Sequence, residues 1–127
     1  MNLSSDIYSS TAMTQNDKEI LLQDIAGRIP YRPMMFIQSS SSDKYKSRFN
    51  VRLDLSVYGG IANDECEAIP YLFPMSHLTD EQIREIEFLA FSKRYSEIVD
   101  IYNRNNIDYR GMLKLKLAID ASNLIEH

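Results

Sequence analysis

Four cations recur at even positions, Lys44, Lys46, Arg48 and Arg52, with no acidic residue between Lys44 and Leu53. A row of positive charge along one side of a strand suits a phosphate backbone, so these four are the predicted phosphate-binding set. Solvent-facing strands also carry Lys and Arg to block edge pairing, and that explanation competes with the first. The chain has no tryptophan, and Tyr58 is the single ring on that side, which leaves base stacking little support.

A second group has the residue types that anchor protein contacts, Tyr and Arg above all. Arg28, Tyr31 and Arg32 sit in a proline-stiffened loop, Arg28-Ile29-Pro30-Tyr31-Arg32-Pro33. Tyr71, Phe73 and His77 lie in and beyond a segment bracketed by Pro70 and Pro74. Asp108, Tyr109 and Arg110 precede Gly111, where an Asp–Arg pair two residues apart would lock a turn and the glycine would take a conformation other residues resist. These nine residues are the predicted partner-binding set. The loops 28–33, 70–78 and 108–111 each adjoin a well-formed element and are expected to lie near one another. Arg28 also fits a plain helix exit, where positive charge complements the dipole.

No catalytic residue, metal site or cofactor is predicted. The two histidines, His77 and His127, lack any ligand spacing. Asp64-Glu65-Cys66-Glu67 lacks the alternating oxygen ligands of a calcium loop and reads as a solvated acidic turn. Cys66 has acidic neighbours that would raise rather than lower its pKa. Glycine-rich phosphate loops, nucleophile elbows and dinucleotide fingerprints are absent from the sequence.

The elements that must position these residues follow from pattern. A chain of 127 residues with 44% hydrophobic and 25% charged residues favours one domain with a real core. Fourteen basic residues against eighteen acidic ones give a net charge of −4, which excludes a generally basic nucleic-acid coat. Residues 1–13 read as a flexible arm and 14–127 as a single α+β domain. The spacing predicts a first helix from Gln15 to Ala26, capped by Thr14 or Asn16, with Leu21, Leu22 and Ile25 inward and Gly27 as a left-handed terminus. Residues 34–37 read as a strand, followed by a serine-rich hairpin loop. Tyr45, Phe49, Val51, Leu53, Leu55 and Val57 alternate with polar residues, which predicts one long strand ended by a Gly59-Gly60 turn. A third, poorly defined strand is expected within 61–73. Thr79 and Gln82 form a capping-box signature for a second helix reaching about Ser92, and Tyr95, Ile98, Val99 and Tyr102 mark a third. The tail fits an edge strand at 113–117 or a helical turn at 117–121. The expected architecture is α+β: an N-terminal helix and a helix pair packed on one face of a small, mainly antiparallel sheet.

Three segments taken together carry a resemblance. Leu22 to Tyr31, Ile69 to Glu81, and Asn103 to Met112 followed by Leu117 to Ala121 fall in the order of a pattern RLPY, PYLxPMSxMT, DYRGL and LAIDA. That pattern resembles a family of small uncharacterised phage and prophage proteins of gut Bacteroidales. The chain departs from it with Asn105-Asn106 where histidines are common, Phe73 where arginine is common and Lys116 where glycine is common. The resemblance implies a phage or mobile-element accessory protein in the host cytoplasm, not a metabolic enzyme.

Neither a signal-peptide pattern nor a membrane-spanning apolar run is present. The expected function is a non-enzymatic, regulatory protein-interaction module whose partner is a host or phage protein. The alternative is a nucleic-acid or nucleotide binder using the basic face at 44–52, and a small hydrolase comes third. Tyrosine is abundant, at eight residues, and an exposed apolar edge would make a homodimer plausible.

Overall fold

Thr14 opens the first helix as expected. Its Oγ1 accepts the Asp17 amide at 3.0 Å, and helix α1 runs Gln15–Ala26. The computed structural model describes residues 13–40 and 49–123. Expectations that fall on 1–12, on 41–48 (Lys44, Lys46 and Arg48 among them) and on 124–127 lie outside the described residues.

Gly27 follows α1, but not as a left-handed cap: its φ is −73°. Its smallness has another reason. A Cβ there would stand 2.8 Å from Nδ2 of Asn103, a residue only 6% exposed. The left-handed residue comes later, at Arg32 (φ 50°), after a 3₁₀ turn at Ile29–Tyr31.

Strand β1 spans Met34–Ser40 and pairs antiparallel with β2, Phe49–Arg52, with Met35 opposite Val51. Across β2 the expected alternation holds. Asn50 and Arg52 are exposed, Phe49 and Val51 half-buried, and Leu53 is fully buried just beyond. The long strand then fails. Asp54 accepts the Val57 amide at 2.9 Å and caps helix α2, Leu55–Ala62, so Gly59 and Gly60 lie inside a helix and not in a turn. Leu55 is 74% exposed as a result, while Val57 and Ile61 enter the core. A period of two and a short helix share these apolar positions. An aspartate at the N-cap plus burial of Val57 and Ile61 outweighs the roughly 1 kcal/mol that each helical glycine costs.

Strand β3, Cys66–Leu72, also pairs antiparallel with β1, with a register shift between Ile37 and Ser39. A two-residue β4, Ile119–Asp120, adds in parallel beside Tyr71 and Leu72, giving the order β2-β1-β3-β4 among the described residues. Residues 112–118 form turns, so neither the edge strand nor the helical turn expected there forms, and a 3₁₀ turn follows at Ala121–Asn123. The chain is thus an α+β domain with a mixed, mainly antiparallel sheet.

Helix α3, Asp80–Phe91, carries the full capping box between Thr79 and Gln82, and helix α4 spans Tyr95–Arg104. This pair does not join the main core. Leu21, Ile25, Met35, Ile37, Leu53, Val57, Leu72 and Met112 belong to one cluster; Leu89, Ile98 and Ile101, with Ile86 and Tyr102, form another.

Gly27→Ala tests the close approach. Alanine normally improves a helix end, but here it must displace a buried amide, so a net loss of about 1–3 kcal/mol is expected by urea denaturation. Adding Asn103→Ala removes the obstacle, and the double variant is then expected to show strong coupling between the two sites.

Candidate functional site

The three loops meet at residues 105–110. Phe73 forms a parallel bridge with Ile107: its amide donates to the Asn106 carbonyl at 2.7 Å, and its carbonyl accepts the Asp108 amide at 2.8 Å. From the other side, Arg28 Nη2 donates to the Ile107 carbonyl at 2.8 Å. The expected proximity of 28–33, 70–78 and 108–111 therefore has a backbone and a guanidinium behind it.

The charges at this junction face inward. Arg28 and Asp24 are one helical turn apart, and both side chains are fully buried. Arg28 Nε and Nη2 donate to the two Asp24 oxygens at 2.9 and 3.1 Å, a two-pronged ion pair. Arg110 Nε approaches Asp24 Oδ1 at 3.4 Å. The Tyr109 ring lies under both guanidinium groups, with carbons 5.6 Å (Arg28) and 5.1 Å (Arg110) from its centroid, and stacks on Tyr102 at 5.0 Å.

Asp108 does not pair with Arg110, as the sequence suggested. It accepts the Met112 and Leu113 amides at 2.7 and 2.9 Å, closing the turn in which Gly111 takes φ 76°. A carboxylate two residues from an arginine also lies beside the next turn's amides, and those won. Arg28 and Asp108 are thus buried and act inside the fold. Arg28 Nη1 and Asn103 Oδ1 are buried without a protein partner among the described residues.

The remaining residues of the predicted set reach the surface. Tyr31 is 36% exposed, and its hydroxyl donates to Asp100, which also pairs with Arg104 at 2.9 Å. That hydrogen bond, with desolvation and the Asp100 charge, raises the Tyr31 phenol above its ordinary 10.0, against an opposing effect of Arg104. Tyr71 donates to Asn50 Oδ1 at 2.8 Å. Arg32 is exposed, and its carbonyl accepts Arg52 Nη1 at 3.2 Å, so the one described member of the basic row is engaged with the loop.

Phe73 and His77 rings lie 5.1 Å apart and line a shallow cleft of about 180 Å³ with Thr79, Gln82, Asn105 and Ile107. Ser122 Oγ lies 3.1 Å from His77 Nε2. A serine hydrolase would need the carboxylate behind the histidine. Here Asp120 holds the serine instead, accepting the Ser122 amide at 2.9 Å, and the Ser122 contacts keep Asp120 below its ordinary 3.8. This arrangement clasps the C-terminal turn to the 73–77 loop. A second hollow of about 260 Å³ is lined by Met13, Lys18, Ile61, Asp64, Cys66 and Glu67, and Lys18 pairs with Asp64 across it at 2.7 Å. Among the described residues no group of three His, Cys, Asp or Glu could hold a metal ion, and no helix is long and apolar enough to cross a membrane.

Asp24 and Asn103 are absent from the set that residue type and spacing pick out. The Asp24–Arg28 spacing of four was a readable signal for an ion pair, but nothing marked it as buried. Asn103 carried no signal.

Removing one partner of the buried pair strands a charge, so Asp24→Asn or Arg28→Ala is expected to cost about 3–5 kcal/mol in urea unfolding. Asp24→Leu combined with Arg28→Met leaves no buried charge and is expected to recover most of that loss. The protonated Tyr31 phenol makes the bond to Asp100, so its contribution is complete below pH 10.0 and fades as pH rises through the raised folded value. By NMR the Tyr31 ring is expected to titrate above 10.0, and Asp100→Ala to bring it back toward that figure. No protein-family model, curated protein or solved structure matches the chain.

Proposed function

We propose that the chain is a non-enzymatic protein-interaction module, a phage or mobile-element accessory protein that docks a host or phage protein in the host cytoplasm. The observation that supports this reading is the tying of two sequence-distant loops, 28–33 and 70–78, to the segment 106–108 that opens the third, by the Arg28 bond and the Phe73 bridge. Loops held this way lose little freedom on binding, which is how a preorganised surface gains affinity. Their exposed residues are of the kinds that anchor interfaces: Tyr31, Arg32, Met75, His77 and Arg110. The tyrosine hydroxyls of the first two loops are already hydrogen-bonded, Tyr31 to Asp100 and Tyr71 to Asn50, so the rings are fixed in place.

The phosphate-binding alternative draws no comparable support. Lys44, Lys46 and Arg48 lie outside the described residues, and Arg52 donates to a carbonyl.

A partner recovered from host lysate and then purified supplies the test. Arg32→Asn, Met75→Ser and His77→Ala change exposed side chains, so melting temperatures are expected to stay within a few degrees of the parent. Combined, they are expected to weaken binding at least about tenfold, the effect of losing roughly 1.4 kcal/mol. Binding unchanged by all three would end the proposal.

A further inference from the structure

Helix α3 has more apolar residues than one face can bury. Ile86 and Leu89 point into the small cluster shared with α4. On the opposite side, at spacings of four and three, stand Arg84, Phe88 and Phe91, all exposed. Phe88 is 61% and Phe91 87% exposed, and Tyr95 just beyond the turn is 59% exposed. Two phenylalanines on the wet face of a twelve-residue helix make a contiguous apolar stripe that marks an interaction surface.

The charges along the same helix say what fits it. Asp80 and Glu81 lie in its first turn, Glu85 and Glu87 in its middle, and Lys93 and Arg94 just past its end, where Arg94 is paired with Glu97. The negative first turn and Lys93 just past the last turn complement each other when a second copy is reversed, and the opposed dipoles agree with that orientation. Arg84 is exposed and has no ion-pair partner among the described residues, so its guanidinium is open to a ring from another chain.

We infer that α3 is a self-association face, occupied by a second copy of this chain packed antiparallel about a two-fold axis. Phe88 of each copy meets its counterpart on the axis. Phe91 of each lies over Arg84 of the other. Asp80 and Glu81 of each face the Lys93 turn of the other, while Arg94 keeps its two-pronged pair with Glu97. The contact is isologous and closes on itself, so it yields dimers and not filaments. None of these residues belongs to the loop surface proposed above, so the two readings stand or fall separately.

Sedimentation equilibrium of the full chain, over a dilution series spanning roughly two decades around 50 µM, tests the inference, since a contact this small gives a weak dimer. The expected result is a monomer–dimer equilibrium. Phe91→Ser and Phe88→Ser change solvent-facing positions, leave the circular dichroism unchanged and abolish the dimer. Glu81→Lys and Lys93→Glu each weaken it alone. An equimolar mixture of those two variants restores it, because only the mixed pair then matches charge at both ends. A wild-type chain monomeric throughout would overturn the inference, as would a dimer indifferent to the phenylalanine changes. A dimer that the mixture fails to restore refutes the antiparallel register.

Discussion

One buried ion pair ties the halves of this molecule together. Asp24 and Arg28 face each other on the last turn of α1 and its exit, with no exposure of either side chain. A charge pair removed from water gains less than it loses unless its remaining hydrogen-bonding groups are satisfied. The chain brings pieces from far away in sequence to it, the Ile107 carbonyl, the Arg110 guanidinium and the face of Tyr109, and leaves Arg28 Nη1 buried without a protein partner among the described residues. The pair therefore acts less as a source of stability than as a constraint on place. The segment that leaves α4 must pass over the end of α1, and Gly27 is small because Asn103 arrives there.

That constraint matters because the hydrophobic cores do not supply it. The main core binds α1, α2, the sheet and residues 112–118 into one body. The α3–α4 pair has its own cluster of three buried side chains, Leu89, Ile98 and Ile101, with a half-buried fringe. Polar contacts join the two: Arg28 to Ile107, Tyr31 to Asp100, and the Phe73 bridge. Polar contacts are directional, so they fix the orientation of the helix pair more sharply than apolar contact of equal area would. The pair's outer face is then left in water with two phenylalanines on it.

The same polar junction decides which residues can meet another molecule. Arginine, tyrosine and aspartate are the usual vocabulary of binding sites, and in 28–33 and 108–111 they are shared between two uses. Arg28 and Asp108 hold backbone and carboxylate groups within the fold, while Tyr31, Arg32 and Arg110 reach the surface. Residue type alone does not divide the set, because the division depends on which loop end lies over α1.

Local chemistry was sufficient for the caps. Thr14 before α1 and the Thr79–Gln82 box before α3 act through side chains within three residues of the amides they bind, so sequence carries the whole signal. The alternation at 49–53 was legible for the same reason: a strand's two faces are a local property. Where two local solutions competed, tertiary packing chose. Leu55 to Val57 could have continued the strand; instead Asp54 caps a helix that places Val57 and Ile61 in the core and leaves Leu55 in water. The parallel placement of β4, the pairing of Asp24 with Arg110 and the separation of the helix pair from the sheet were likewise beyond the sequence. Each joins residues far apart along the chain, and which distant groups end up adjacent is set by how the whole chain excludes water, a property no local window contains.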